Sequence, residues 1–265
     1  MGGLGKVSAG LQRAVMAIFR PLTYRITYTI HSGIAAGLKR TGGFGFVPHQ
    51  MCDEERFYQS LNLVGKTFYD VGSYDGIMSL FAARAVGPSG RLVVCEPNPE
   101  CFRRTTRNLS LNRFECEIVL QNLALGDTPG EFEMFAPPEH PAQATLNPEI
   151  ADTIRKSGEP GITCRVKVER LDDLIDRGLP VPDFIKIDTE GSELSVLKGS
   201  VKTLKAHSPE LFIELHGTTH ENWVRNRRAI HELLEPLGYR IFNMYRQPIL
   251  DDNVGVSHFY CQKLA

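Results

Sequence analysis

From residue 66 onward, short apolar runs alternate with longer segments whose apolar positions recur every three or four residues. Buried strands of a parallel sheet and the amphipathic helices that cross between them carry those two patterns. KTFYDVG (66–72) reads as a strand, GIMSLFAARAVG (76–87) as a helix stopped by Gly87 and Pro88, and RLVVCEP (91–97) as the next strand. PECFRRTTRNLSLN (99–112) is a helix opened by proline, whose missing N–H costs nothing in a first turn. CEIVLQNLALG (116–126) is a third strand. PDFIKID (182–188), SELSVLKGSVKTLKAH (192–207) and ELFIEL (210–215) repeat strand, helix and strand, with Leu194, Leu197, Val201 and Leu204 spaced for one buried face. HENWVRNRRAIHELLEPLG (220–238) is a long helix stopped at Gly238, and YRIFNMY and SHFYCQKL close the chain as a hairpin-like pair. The expected fold is α/β: a doubly wound, mainly parallel seven-stranded sheet of Rossmann-like form with helices on both faces, over residues 61–265. Residues 1–60 are expected to form a helical N-terminal extension.

Two segments depart from the alternation. Residues 127–181 separate strands three and four by far more than an ordinary connection. Part of this insertion, 170–175, reads as the crossover helix, and the rest is expected to form a lid or a substrate wall in which Met134, Phe135, Thr145 and Asn147 are candidate lining. The first 52 residues carry Lys6, Arg13, Arg20, Arg25, Lys39 and Arg40 and no acid. That bias suits an anionic surface or an organellar transit segment, so a peripheral membrane contact through residues 1–45 stands beside the simpler packed extension. No run approaches the roughly 20 apolar residues of a membrane span, and a cytoplasmic location is expected.

Composition excludes more than it proposes. With 30 basic against 31 acidic residues the net charge is -1, and no global field marks a nucleic-acid binder. The six cysteines show neither C-x-x-C nor a zinc-site spacing and are read as reduced thiols, Cys95 as filler of a buried strand.

Candidate chemistry begins at FYDVGSYDG, where a strand ends, the chain turns on Gly72 and Gly76, and a helix starts. A doubly wound sheet holds a nucleotide-like ligand at such a turn, with the backbone of Gly72, Ser73 and Gly76 against it. The spacing lacks G-x-G-x-x-G, so a pyrophosphate is poorly served and an NAD oxidoreductase is the weakest reading. Asp70 at the strand end would repel a phosphate and accept hydrogen bonds from an ammonium group. Glu96, at the end of the next strand, can accept two vicinal ribose hydroxyls. Amine plus ribose without pyrophosphate points to S-adenosylmethionine. Asn122 and the backbone of Leu123 are the softer candidates for the adenine edge; an Asn there also closes turns.

Six segments then resemble a known family: DVGSYDG (70–76), CEPNP (95–99), NLSLN (108–112), LALGD (123–127), LDDLI (171–175) and, most specifically, IKIDTEGSELSVLKG (185–199) followed by FIELH (212–216). They are similar to the FkbM-type methyltransferases from about residue 66 to the C-terminus. The resemblance implies a class I S-adenosylmethionine-dependent enzyme that methylates a hydroxyl, often on a sugar or a polyketide-like product. Asp75 stands where the family commonly has Asn, which adds an acid near the cofactor's amino-acid end or toward solvent. An idle S-adenosylmethionine-fold protein that binds a partner through its basic N-terminal stretch is the alternative.

Methyl transfer to an alcohol needs alignment and a group that takes the hydroxyl proton. Asp188, Glu190 and His216 lie at the strand ends where such a group belongs, with His216 favoured as base because its ordinary pKa is nearest neutrality and Glu214 or Glu190 as its orienting partner. Glu193 reads as a carboxylate placed for the start of a helix. A divalent cation on Asp188 and Glu190 is a minor alternative, with magnesium the oxygen-loving candidate. The expected partner is a small molecule or glycan rather than nucleic acid.

Overall fold

The computed structural model describes residues 24–138, 140–249 and 257–263. Lys6, Arg13 and Arg20 fall outside them. The chain enters through a short antiparallel pair, β1 (Thr27–Thr29) and β2 (Lys39–Thr41), and then helix α1 (Asp53–Gln59). The helical extension expected over 1–60 is therefore, in its described part, mostly turns and a hairpin.

The alternating region follows as β3 (Thr67–Val71), α2 (Ile77–Ala85), β4 (Arg91–Cys95), α3 (Pro99–Ser110) and β5 (Glu117–Gln121). Next comes β6 (Ala124–Leu125), and the insertion contains β7 (Gly130–Ala136), α4 (Pro148–Lys156), β8 (Ile162–Glu169) and α5 (Leu171–Asp176). The remainder is β9 (Phe184–Ile187), α6 (Glu193–Lys198), α7 (Val201–His207), β10 (Glu210–Glu214), α8 (His220–Leu234), β11 (Tyr239–Phe242) and β12 (His258–Lys263).

Seven strands form one sheet in the order β11-β12-β10-β9-β3-β4-β5, parallel except for β12, which runs antiparallel between β10 and β11. Because successive side chains on a strand point to opposite faces, each central strand feeds two cores. Tyr69, Val71, Val93 and Ile185 pack with Val196, Leu197, Leu204 and Ile230 of α6, α7 and α8. Phe68, Leu92, Val94, Phe184 and Phe212 pack with Phe57 and Tyr58 of α1 and with Leu80 and Phe81 of α2. Burying one such side chain is worth about 1.5–3 kcal/mol. That is why these strands read as near-continuous apolar runs rather than as alternating ones.

Three local differences from the sequence reading have physical causes. The third strand stops at Gln121, and Ala124–Leu125 joins a separate small sheet with β8 and β7. The helix read over 192–207 is two helices: a Cβ on Gly199 would lie 2.0 Å from the Gly126 carbonyl oxygen, and the Asp172 carboxylate accepts from the backbone N–H of Lys202 (3.0 Å) and Thr203 (2.8 Å), capping the second piece. The hairpin is fastened to α3 by Asn108, whose Oδ1 accepts from Thr41 N (2.8 Å) and whose amide donates to the Asp75 carbonyl (2.8 Å). No helix among the described residues is long and apolar enough to cross a membrane.

Candidate functional site

The glycine turn is shaped by contact with β9. Gly72 has φ 80°, and a Cβ there would lie 1.8 Å from the Asp188 carbonyl oxygen, so only glycine fits. The turn continues through Tyr74 at φ 53°, a strained value for a side chain of that size. Gly76 (φ 82°) opens α2 against Thr105, and Ser73 is buried with its hydroxyl 3.2 Å from the Thr105 hydroxyl, so its side chain serves the packing of the turn.

Glu96 lies across this turn. It is buried, and its oxygens accept the N–H of Tyr74 (2.8 Å) and of Asn98 (2.9 Å), one each, which leaves acceptor capacity on both. Burial pushes its pKa up to about 7, against the two N–H donors that favour the charge. A crevice opens beside it between Gly72, Pro97, Cys101, Leu125 and Met134, with Asp188 and Glu190 at its other border. A carboxylate with free acceptor capacity, a backbone-lined turn and an apolar slot fit a nucleoside that carries no phosphate. The insertion supplies Met134, Ala142 and Leu146 to this wall, as a substrate or cofactor wall requires. Thr145 and Asn147 instead pin the turn after β9, donating to the carbonyls of Glu190 (2.6 Å) and Gly191 (2.9 Å). Phe135 lies beneath the Arg155 guanidinium.

Several expected roles change with the geometry. Asp70 is fully buried and engaged internally: Ser79 donates to one oxygen at 2.5 Å, and Lys186 Nζ lies 3.4 Å from the other. It anchors Lys186 instead of meeting a ligand's ammonium. Asp75 neither faces solvent nor adds charge to the cofactor's end, because Arg40 of β2 covers it at 2.5 Å with both side chains buried. The same contact removes Arg40 from any anionic surface. Asn122 closes a turn, its amide donating to the carbonyls of Glu96 (2.8 Å) and Pro97 (3.2 Å); the Leu123 side chain is core, which leaves its backbone as the adenine candidate. Cys95 is buried, burial raising its thiol, as strand filler should be.

Lys186 was not anticipated. Its side chain is 7% exposed; it donates to the Gly72 carbonyl (2.9 Å) and pairs with Asp188 Oδ2 at 3.1 Å, so it ties the turn to both acids. Despite its burial, the two aspartates hold its pKa well above the usual lysine value. A lysine in the middle of the buried run FIKI was the available signal.

Beyond Asp188 the strand ends build a ring of carboxylates around two imidazoles. His216 Nδ1 is 3.1 Å from Glu193 Oε1, and its Nε2 faces Glu190 Oε1 (3.6 Å), Glu214 Oε1 (3.8 Å) and Asp188 Oδ1 (3.9 Å). Burial pulls the His216 pKa down, but the Glu193 hydrogen bond and the surrounding acids carry it up to about 9. With only these neighbours His216 is cationic at neutral pH, so it is not the free base that its ordinary pKa suggested. Its orienting partner is Glu193, the residue read as a helix-start charge. Glu193 is buried and also accepts from the N–H of Gly191 (2.9 Å) and Thr189 (3.3 Å). Burial raises Glu190 to about 7, and its backbone sits at φ 51° in a turn continued by Gly191.

The ring extends through Glu214 to two residues that the sequence reading passed over, His258 and Glu54. Glu214 pairs in register with His258 on β12, whose Nε2 lies 3.6 Å from Glu214 Oε2, and Glu54 of α1 completes a second close group with them. Residues 53–59 thus contribute to the site and not only to a cap.

The profile of the methyltransferase FkbM domain matches residues 70–241. The chain is 28% identical over 206 residues to the methyltransferase sdnD of Sordaria araneosa, covering 69% of this chain and 72% of that protein. It is 28% identical over 149 residues to the hexuronic acid methyltransferase AglP of Haloferax volcanii, covering 56% of this chain and 55% of that one. The crystal structure of a methyltransferase FkbM from Methylobacillus flagellatus superposes with a TM-score of 0.48 at 23% identity, over 77% of this chain and 45% of that chain. The chain therefore spans less than half of that solved protein and little more than half of AglP. With the domain profile covering most of its length, the chain belongs to the FkbM family of methyltransferases.

Proposed function

We propose that this protein transfers a methyl group from S-adenosylmethionine to a hydroxyl of a sugar or a similarly polyhydroxylated acceptor. The observation that carries the reading is the position of Asp188 and Glu190, which border the nucleoside-shaped crevice on one side and the imidazole and carboxylate ring on the other. The cofactor, when bound, supplies an electrophilic methyl on sulfonium. The chain's own task is to orient the acceptor and to take its proton. Glu96 accepts the ribose hydroxyls, and the backbone from Gly72 to Gly76 shapes the turn around the rest. Asp188 and Glu190 are the carboxylates placed to receive the hydroxyl proton, and Lys186 fixes Asp188 through its second oxygen. Glu214 and Glu54 offer further acceptors that suit a substrate with several hydroxyl donors. The hexuronic acid named in AglP belongs to the same chemical class of acceptor.

Incubation with S-adenosylmethionine labelled in its methyl group and a panel of glycans, glycolipids and hydroxylated natural products tests this reading. Label is expected in an alkali-stable methyl ether. Label in an alkali-labile methyl ester would move the reaction from hydroxyl to carboxylate. Absence of label from every acceptor, with S-adenosylmethionine bound, would leave a binding protein instead of an enzyme.

A further inference from the structure

His216 has a geometry that hydrogen bonding alone does not explain. Its Nδ1 is committed to the buried Glu193 at 3.1 Å, so the ring presents Nε2 to the opposite side. There Nε2 faces three carboxylate oxygens at 3.6–3.9 Å, each beyond a hydrogen bond, from the ends of two neighbouring strands. A metal-bound imidazole is arranged in this way: the distal nitrogen donates to a carboxylate, which fixes the tautomer and leaves the other nitrogen for the ion. The spacing fits as well. Ligands about 2.1 Å from a shared centre and spread evenly around it stand roughly 3.6 Å apart. Asp188 Oδ2 is already taken by Lys186, whose charge is offset by buried Asp70, and this leaves Oδ1 toward His216.

We propose that Asp188 Oδ1, Glu214 Oε1 and His216 Nε2 hold one divalent transition-metal ion. Nε2 lies 3.9 Å from Asp188 Oδ1 and 3.8 Å from Glu214 Oε1, and one ligand atom from each of the three residues lies within 4.8 Å of the others. One imidazole with two carboxylates suits Mn²⁺ or a neighbouring first-row ion better than magnesium, which prefers an all-oxygen shell. The ion differs from the one weighed on Asp188 and Glu190 in adding a nitrogen ligand and the strand-end Glu214. On the reaction proposed above, and resting on it, the ion would offset the acidic ring and draw an acceptor hydroxyl toward ionisation, with Glu190 left to take the proton because both Asp188 oxygens are then engaged. Glu54, Glu214 and His258 form an adjacent group, and the experiment must separate it from this one.

The test is Mn²⁺ binding to chelator-stripped full-length protein, followed by electron paramagnetic resonance and by the histidine proton resonances, with neither acceptor nor cofactor present. One ion per chain is expected, with selective broadening of the His216 ring protons. Binding should weaken at least 30-fold in His216→Asn and Asp188→Asn and about 10- to 100-fold in Glu193→Gln, and stay within threefold of wild type in His258→Gln. Stoichiometry near zero at millimolar Mn²⁺ overturns the site, as does broadening confined to His258 or equal affinity in wild type and His216→Asn. The broadening is read on unmodified protein, so a variant that misfolds does not decide the outcome. Because no methyl transfer is measured, failure of the proposed reaction and failure of the metal site are separate results.

Discussion

The crevice beside Glu96 and the acidic ring beyond Asp188 and Glu190 are built in opposite ways. On the cofactor side, the glycine turn and Glu96 come from one strand-turn-helix step and the strand after it, and backbone N–H groups do much of the work. On the acceptor side, Glu54, Asp188, Glu190, Glu193, Glu214, His216 and His258 arrive from both ends of the chain and from two central strands, and only side chains make the site. Lys186 joins the halves, because it binds the Gly72 carbonyl and both aspartates. A site made from backbone is fixed once its strand forms. One made from charged side chains depends on every partner, since a buried charge that loses its counter-charge is costly.

The largest break should therefore come at the joint. Lys186→Met leaves Asp70 buried without its cation and should cost about 3–5 kcal/mol in a denaturant titration, and the double change with Asp70→Asn should recover most of the loss. A double variant as unstable as the single one would mean that packing and not charge is decisive there. Arg40→Met breaks the other buried pair, at the cost of an uncompensated Asp75. A loss of about 3 kcal/mol is expected, with faster hydrogen exchange in residues 27–41 and unchanged exchange in the central strands.

Glu96→Gln keeps the shape of the cofactor side and removes its charge. Losing hydrogen bonds to a charged group is worth about 1.5–3 kcal/mol, so S-adenosylmethionine affinity measured by calorimetry should fall about 10- to 100-fold. The same residue gives a pH dependence. Its folded pKa of about 7 lies above the 4.5 of an ordinary glutamate, so the stability gained by holding its proton is present in full below pH 4.5 and is lost as pH rises through 7. Thermal melts of cofactor-free protein should show this decline between pH 5 and 8, and Glu96→Gln should make it shallower, leaving the share that Glu190 and His216 contribute in the same direction. Cofactor affinity should run the other way and rise with pH as the carboxylate ionises. The smallest effect is expected at Asn122→Ala, which removes turn bonds worth about 0.5–1.5 kcal/mol. Its cofactor affinity should stay within about threefold of wild type; a larger drop would return Asn122 to the adenine site.

The contrast between the halves also explains what was legible in the sequence. The turn at Gly72 and Gly76 and the place of Glu96 across it were readable because they follow from position on consecutive strand ends. Asp70 misled for the same reason: its position was right, but its partner Lys186 sits in register on β9, 116 residues later. Only the parallel pairing of β3 with β9 brings the two together. Asp75 and Arg40, or Glu54 and His258, carry no local sign that they meet. Glu193 has two roles at once, at a helix start and beneath an imidazole, and a linear reading shows only the first.

By itself the sequence determined the doubly wound sheet, the strand ends that carry the site and the family, because apolar periodicity, glycine turns and the IDTEGSE segment are local properties. Tertiary structure decided which acids remain free. It spent Asp70 on Lys186 and Asp75 on Arg40, and it brought Asp188, Glu214 and His216 within 4.8 Å of one another. The physical reason is that a charge takes its meaning from what lies within a few ångströms, and in this fold those neighbours come from distant parts of the chain.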